Sequence, residues 1–484
     1  MQNFTEKELL EQIKNLQEEL QKIKKQKKYG IVWEEKEENI DKSKLPMLEE
    51  EVDLRIENDK NKPQNLIIEW DNFHVLSVLQ NTHKSKIDVI YIDPPYNTGN
   101  KDFIYNDNYV DKEDSYRHSK WLSFMSKRLE LAKNLLKDDW VIFISIDDNE
   151  FAQLKLLCDE IFGEENFIET FIWNSIFRPS NMWKLTRRNS EFILSYCKNF
   201  SETFEFIEAE EVPKWEPSLT QNNNKERILL FPENFVITKL KNWTFQKWRY
   251  WNNELLDDIY IKDGKIKNHF RMIGKFKWSQ DYLNNEIQKG VKIIIKNNSL
   301  IPYYLKDYQK TSLRPTKIIS NTIVWDVLEA NTDLIKIFSE KKFDYSKPKS
   351  LIKFIIKILQ KQTNSTILDF FAWSGTTGHA VMELNKEDGW NRQFILCSNK
   401  ENTKENPEKN ICRDITYERN KRVIQGYTNS KWEKIEWLWW NLRYYKTEFI
   451  PKNKSIDDLR DSFINKCDDL LCIKENTFTK VDFW

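Results

Sequence analysis

The sequence predicts an α/β fold, a mostly parallel sheet with helices on both faces, interrupted by a separate basic insertion. Three observations carry that expectation. Short apolar strands alternate with helical stretches from residue 65, the alternation is lost between about 175 and 330, and it resumes from Lys349.

Taken in chain order, Leu9, Ile13, Leu16, Leu20 and Ile23 recur at spacings of four and three among Glu, Gln and Lys, which predicts an amphipathic helix with a narrow seam. It is too short for an independent coiled coil and fits a helix docked on its own domain or on a sister subunit. Strands are then expected at Asn65 to Glu69 and Asp88 to Ile92, a helix around Trp121 to Leu136, and a strand at Val141 to Ile146. The apolar run Glu191 to Cys197 can continue the same sheet. Between about 175 and 330 the chain is rich in Asn, Lys, Arg and aromatics, with basic residues at Lys184, Arg187, Arg188, Lys247 and Arg249 among others. A helix (Leu351 to Leu359), a strand (Thr366 to Phe371), another helix and a strand (Gln393 to Ser398) complete the pattern. The expected organisation is a helical segment at 1–60, a first half-sheet at 61–174, the insertion at 175–330, a second half-sheet at 331–404 and a charged C-terminal segment at 405–484.

A chain of 484 residues is long enough for two or three domains. Lysine plus arginine equal aspartate plus glutamate at 76 each, so any nucleic-acid-binding surface must be local. Six cysteines without a CxxC pair, and five scattered histidines, argue against a metal site. No signal peptide is evident, and the longest apolar runs fall far short of the roughly 20 residues of a membrane span. A reducing cytoplasm fits this composition best. Glycine is abnormally rare, 10 of 484 residues, where ordinary chains carry roughly 7%. Tryptophan is correspondingly heavy at 19.

The strongest chemical signal is Asp88-Val-Ile-Tyr-Ile-Asp93-Pro94-Pro95-Tyr96-Asn97-Thr98-Gly99, in which a buried strand delivers an acid, two prolines and an aromatic to its carboxyl end. Open parallel sheets place their ligand sites there. The prolines stiffen the turn, so that the Pro94 carbonyl can serve as a fixed acceptor. An exocyclic amine on a base is a poor nucleophile, because its lone pair is delocalised into the ring. The Asp93 carboxylate and the Pro94 carbonyl can hold its two hydrogens and turn the lone pair toward an electrophile. Tyr96 can stack on a base flipped out of the duplex. A second constellation, Thr366-Ile-Leu-Asp369-Phe370-Phe371-Ala372-Trp373-Ser374-Gly375-Thr376-Thr377-Gly378, is again strand, small-residue loop and helix, a place where backbone amides approach a nucleotide-like ligand.

These two segments, with Phe343-Asp-Tyr-Ser-Lys347-Pro348 before the second, resemble the catalytic, cofactor-loop and cofactor-tail motifs of the beta class of amino-methyltransferases. Tyr105-Asn-Asp-Asn-Tyr109, Asp147-Asp-Asn-Glu150 and Arg443-Tyr-Tyr-Lys-Thr447 resemble, more narrowly, the modification subunits of type III restriction systems, over nearly the whole chain. The resemblance implies a Rossmann-like methyltransferase sheet that uses S-adenosylmethionine, split by a target-recognition domain, and methylation of adenine N6 in double-stranded DNA. Cytosine N4 is the chemical alternative. It further implies a homodimer that can join an ATP-dependent restriction subunit, and a chain whose last residues look like the middle of a domain. By the family pattern Asp93, Pro94, Pro95 and Tyr96 are catalytic. Asp369, Phe371, Ser374, Gly375 and Thr376 line the cofactor, Lys347 and Pro348 lie near its amino-acid end, and Asp71 lies near its adenine.

The chain departs from the family at glycine. Tryptophan stands in its place at Trp373, and likewise at Trp70, Trp140, Trp183, Trp243, Trp248, Trp251, Trp325, Trp390, Trp432, Trp437, Trp439 and Trp440. Trp140 sits between a helix and a strand, where positive φ is usually wanted, and Trp373 would project an indole into a loop built for close ligand approach. A UGA codon read as glycine in the cell and translated here as tryptophan would account for all thirteen, and glycine is the residue expected there. Reassigning them moves both counts toward ordinary usage. Trp33, Trp121, Trp173 and Trp278 read as genuine, and Trp215 and Trp484 fall in neither group. A real Trp373 would instead suggest a DNA-binding subunit without catalysis. The run Lys239 to Trp251 has two readings, an aromatic stacking platform or a plain basic groove, and three of its five aromatics are among the thirteen.

Overall fold

The computed structural model describes residues 30–40, 43–100, 102–106, 108–178, 185–201, 204–207, 216–306, 314–320, 322–344, 346–359, 363–402, 407–429, 432–451 and 456–478. Two compact units make up the chain, Met1–Phe206 with Thr316–Trp484, and Ile207–Pro315. Among the described residues the larger unit holds a ten-stranded sheet. Its strands are β1 (Lys44–Glu50), β2 (Gln64–Glu69), β3 (Ile87–Ile92), β4 (Leu136–Ile146), β5 (Phe167–Trp173), β6 (Glu191–Cys197), β7 (Ile318–Ile319), β8 (Thr366–Asp369), β9 (Gln393–Ser398) and β10 (Asn441–Pro451). In space they run β1, β10, β2, β9, β8, β3, β4, β6, β5, β7. From β10 to β4 every pairing is parallel. Antiparallel β1 covers one side of that block, and β6 pairs antiparallel with both β4 and β5 on the other. Among the described residues the larger unit's α-helices are α1 (Asn72–Thr82), α2 (Arg117–Leu135), α3 (Phe151–Phe162), α4 (Val327–Phe338), α5 (Lys349–Lys357), α6 (Thr376–Asp388), α7 (Glu418–Gln425) and α8 (Ile456–Glu475).

The central strands form where the sequence is apolar at consecutive positions rather than alternate ones, because a parallel strand covered by helices is buried on both faces. In β3 every residue is buried, including Asp88. Its carboxylate accepts from the Thr366 backbone N–H at 2.8 Å and from Lys137 Nζ at 2.6 Å, which ties the start of β8 to β3. From β3 the chain proceeds through α2 to β4 on one side, and from β8 through α6 to β9 on the other. Adjacent strands whose connections diverge leave a crevice at their carboxyl ends. That crevice positions the site.

Several boundaries differ from the sequence expectation. The second unit is narrower than 175–330, because both of its flanks, β6 and β7, are strands of the larger sheet. Residues 44–50, expected within a helical segment, form β1, and the charged C-terminal segment supplies β10 between β1 and β2. The expected helix over Leu9 to Ile23 lies outside the described residues. Trp140, expected at positive φ, lies inside β4 instead, at the bulge where Ile87 pairs with Leu136 and Val89 with Val141. Among the described residues no helix is long and apolar enough to cross a membrane.

The second unit contains a six-stranded and a four-stranded sheet around a core that includes Leu229, Phe231, Phe270, Met272 and Ile293. Lys247 and Arg249 are exposed, and lysines and arginines outnumber carboxylates over residues 216–306. Phe245 and Tyr250 pack against the core with their rings 5.8 Å apart, so the aromatics left exposed in Lys239 to Trp251 are Trp243, Trp248 and Trp251.

Around the crevice, fully buried Arg128 gathers two separate pieces of chain onto α2. It donates to Glu38 Oε1 at 2.7 Å, to Asp71 Oδ2 at 3.1 Å and, through Nε, to Asn72 Oδ1 at 2.5 Å, with its guanidinium 3.6 Å from the Phe124 ring centroid. Burial lowers its pKa, but the two carboxylates outweigh that and hold it charged. Removing one partner of such a cluster strands the others. Arg128→Ala is expected to cost about 3 kcal/mol, the low end for a buried pair because Asp71 keeps access to water. Urea denaturation of parent and variant measures it, and an unchanged midpoint would show that Arg128 is not a structural pin.

Candidate active site

The Asp93-Pro94-Pro95-Tyr96 turn leaves β3 directly into the crevice. Two indoles hold its backbone: Trp121 Nε1 donates to Pro95 O and Trp373 Nε1 to Asp93 O, both at 2.7 Å. Between these tethered carbonyls, Pro94 O has no donor among the described residues, which leaves it available as an acceptor. Lys347 Nζ lies 3.0 Å from Asp93 Oδ1 and 3.3 Å from Glu191 Oε2, and Tyr96 Oη donates to Glu191 Oε2 at 2.8 Å. The ammonium also sits 4.8 Å from the Tyr96 ring centroid. Burial raises the Asp93 pKa, Lys347 opposes it and Glu191 adds to it, with a net rise. Lys347 is pushed up to about 12 because two carboxylates outweigh its burial.

The loop after β8 is folded back by its own acid. Asp369 Oδ1 accepts from the Phe371 N–H at 3.0 Å and Oδ2 from Thr377 Oγ1 at 2.6 Å, and burial pushes its pKa up to about 7. Gly375 caps α6 at φ 71°, where a Cβ would lie 2.5 Å from Asn420 Nδ2 and 3.0 Å from Thr416 O. Glycine alone satisfies both conditions. Ser346, Ser374 and Thr376 join their hydroxyls within 3.2 Å of one another, and buried Arg419 donates to Thr376 Oγ1 at 2.6 Å and to Ser374 Oγ at 3.2 Å.

Beside this loop, at the ends of β2, β8 and β9, opens a cavity of about 570 Å³. Its walls include Trp70, Asp71, Pro95, Phe371, Trp373, Ser398 and Glu401. That size, with aromatic walls and a few polar groups, is that of a small-molecule site. Of the residues expected at a cofactor, Asp71 and Phe371 line it, whereas Asp369, Ser374, Gly375, Thr376, Lys347 and Pro348 are not among its lining. Lys347 reaches Asp93 instead. S-adenosylmethionine, which the resemblance implies, fits the cavity by volume and lining. Trp373, which lines the cavity, reaches from it to the turn through its bond to Asp93 O.

Lys184 lies outside the described residues, and Arg187 and Arg188 are exposed ahead of β6. Seven of the thirteen questioned tryptophans are exposed: Trp243, Trp248, Trp251, Trp325, Trp432, Trp437 and Trp439. Backbone φ is positive at Trp251 (56°), Trp373 (44°), Trp432 (62°) and Trp439 (54°).

The sequence reading missed Glu191, which begins β6, and a buried network behind the turn. Asn97, fully buried at φ 56°, donates to Glu150 Oε1 at 2.5 Å, and His118 Nδ1 lies 2.7 Å from the same oxygen. Asn97, two residues after Pro95, and Glu150, which ends the Asp147-Asp-Asn-Glu150 motif, were in view in the sequence, but nothing there paired them. Burial pushes Glu150 up to about 8 from 4.5. An acid that holds its proton in the fold but loses it in the unfolded chain makes the fold less stable as pH rises between those values. Glu150→Gln abolishes that titration, so its melting temperature relative to the parent is expected to climb from about pH 4.5 to about pH 8 and to level off on either side. A difference independent of pH would place an ionised carboxylate at Glu150 throughout.

With the geometry in view, residues 87–409 match the DNA methylase family of N6 and N4 methyltransferases. The Mod subunit of the type III restriction-modification enzyme StyLTI from Salmonella typhimurium (strain LT2) is 35% identical over 363 residues, 69% of this chain and 52% of that protein. The EcoP15I Mod subunit of Escherichia coli is 29% identical over 487 residues, 86% of this chain and 71% of that one. The type II methyltransferase M.KpnI of Klebsiella pneumoniae is 32% identical over 393 residues, 76% and 89% of the two chains. The chain thus spans about half the length of the StyLTI subunit. A family match over residues 87–409 takes in both the Asp93 turn and the loop after β8, and the chain belongs to the DNA methylase family.

Proposed function

We propose that this chain methylates adenine N6 at specific sites in double-stranded DNA, as the modification subunit of a type III restriction-modification system. The observation that carries the chemistry is the Asp93 turn, where a donor-free Pro94 carbonyl stands between two tethered ones, next to a carboxylate in a buried pocket. Two acceptors held in place can take both hydrogens of an exocyclic amine without reorganising as the reaction proceeds. S-adenosylmethionine, when bound in the adjoining cavity, supplies the electrophilic methyl group. Lys347 fixes the Asp93 carboxylate through Oδ1, and Glu191 fixes the Tyr96 ring through its hydroxyl. The names of the StyLTI and EcoP15I relatives support the type III assignment. The same reading makes the protein a cytoplasmic homodimer that joins an ATP-dependent restriction subunit. Arg187 and Arg188 in the larger unit, and Lys247 and Arg249 in the second, supply phosphate contacts.

Asp93→Ala is expected to leave DNA affinity within about twofold and to lower methyl transfer at least about 100-fold, the scale seen when one preorganised partner of a transition state is lost. Transfer of labelled methyl to duplex DNA, followed by digestion to nucleosides, reads both rate and product. N6-methyladenine is expected, and N4-methylcytosine would overturn the base assignment. Replacing Lys247 and Arg249 with Ala is expected to weaken binding to every duplex and to reduce the slope of log affinity against log salt by roughly one per lost contact. An unchanged slope would remove both residues from the DNA interface.

A further inference from the structure

Resting on the methyl-transfer reading, position 373 decides whether cofactor and target amine can meet. Trp373 lines the cavity and donates from its indole Nε1 to Asp93 O, so its side chain runs from the cofactor cavity to the amine turn. Its backbone sits at φ 44°, a conformation that bulky side chains rarely adopt and glycine takes freely. We infer that glycine occupies position 373 in the functioning enzyme and opens the way between cavity and turn. The other twelve positions are glycine for the same reason, a UGA codon that the cell reads as glycine.

Eight of the thirteen carry a structural sign of this. Trp251, Trp373, Trp432 and Trp439 have positive φ, and the seven exposed indoles, three of them within that group, are 43% to 90% exposed. Indoles are among the largest apolar side chains and are normally well buried. The four tryptophans read as genuine behave that way. Trp121, Trp173 and Trp278 are buried, and Trp33 packs against the main core while donating to Ser123 Oγ at 3.3 Å. Trp70, Trp140, Trp390 and Trp440 show neither sign, and Trp183 lies outside the described residues, so these five join the set through sequence alone. No local adaptation explains questioned tryptophans on turns in both units, whereas a reading of one codon affects every position alike. The chain's 10 glycines against 19 tryptophans follow from the same cause.

Peptide mass spectrometry of the protein purified from the cells that naturally make it tests the inference directly. Glycine at 373 and the other twelve positions is expected, and tryptophan at any of the eight positions with a structural sign overturns it. The gate is tested by calorimetric titration of S-adenosylmethionine into two chains from an ordinary expression host, one with glycine at all thirteen positions and one that keeps only Trp373. Both chains are expected to bind the cofactor, while transfer of labelled methyl to duplex DNA is expected to be at least about tenfold faster with the all-glycine chain, and equal transfer overturns the gate. Glycine in the native protein with no binding by either chain would overturn the methyl-transfer reading instead, and leave the codon inference standing.

Discussion

The pairing of β3 with β8 is the constraint on which the rest of the molecule depends. These strands come from opposite ends of the sequence, and their register, Val89 against Ile367 and Ile90 against Leu368, brings the Asp93 turn and the loop after β8 to one edge of one sheet. Because β3 continues to β4 and β8 continues to β9, their connections diverge and open a crevice at their carboxyl ends. Burial enforces the pairing. Both strands are apolar on both faces, and the one charge inside β3, Asp88, is used up in holding Thr366 and Lys137. A slip of one residue would leave that carboxylate buried without its backbone donor.

The amine pocket shows what such a crevice costs to build. It buries Asp93, Glu191, Lys347 and the Tyr96 hydroxyl together, an arrangement with one more negative charge than positive. Burial alone would neutralise Asp93, and its pKa is indeed raised. Lys347 limits the rise because it stands 3.0 Å from one acid and 3.3 Å from the other, and the same closeness drives its own pKa up against burial. Replacing such a cluster with apolar side chains of similar volume often stabilises a fold. Its presence at the switch point therefore speaks for chemistry rather than for stability.

What the sequence made legible divides along a physical line. Strands buried on both faces announce themselves, and β6 and β9 were bounded to the residue. Strand β1, Lys-Leu-Pro-Met-Leu-Glu-Glu, at the sheet's edge, and strand β10, with Arg443, Lys446 and Glu448 along it, were not, because charges along a strand read as loop. Strand β7 has two residues and no pattern to read. In the site, Asp93 to Tyr96 could be found because they are consecutive. Glu191, Glu150, His118 and Arg419 reach the site only through the fold, from four separate stretches of chain. Lys347 was found, but the family pattern placed it near the cofactor, while its ammonium sits on Asp93.

The two indoles that grip the Asp93 turn make the last point. Trp121 is wholly buried, sits on α2 and donates to Pro95 O, and both ends of that contact are fixed by packing. Trp373 makes a bond of the same length to Asp93 O, yet it does so from a half-buried loop position at positive φ. A hydrogen bond of good length is thus no evidence that a side chain belongs where it is, since a ring placed in a crevice lined with carbonyls will find one. The backbone is the better witness. A side chain can adapt to its surroundings by rotating about χ1 and χ2, but φ at 373 is set by the Gly375 turn and the Asp369 cap that fold the loop. That conformation suits glycine, and the turn motif around it would be the same whichever residue stood there.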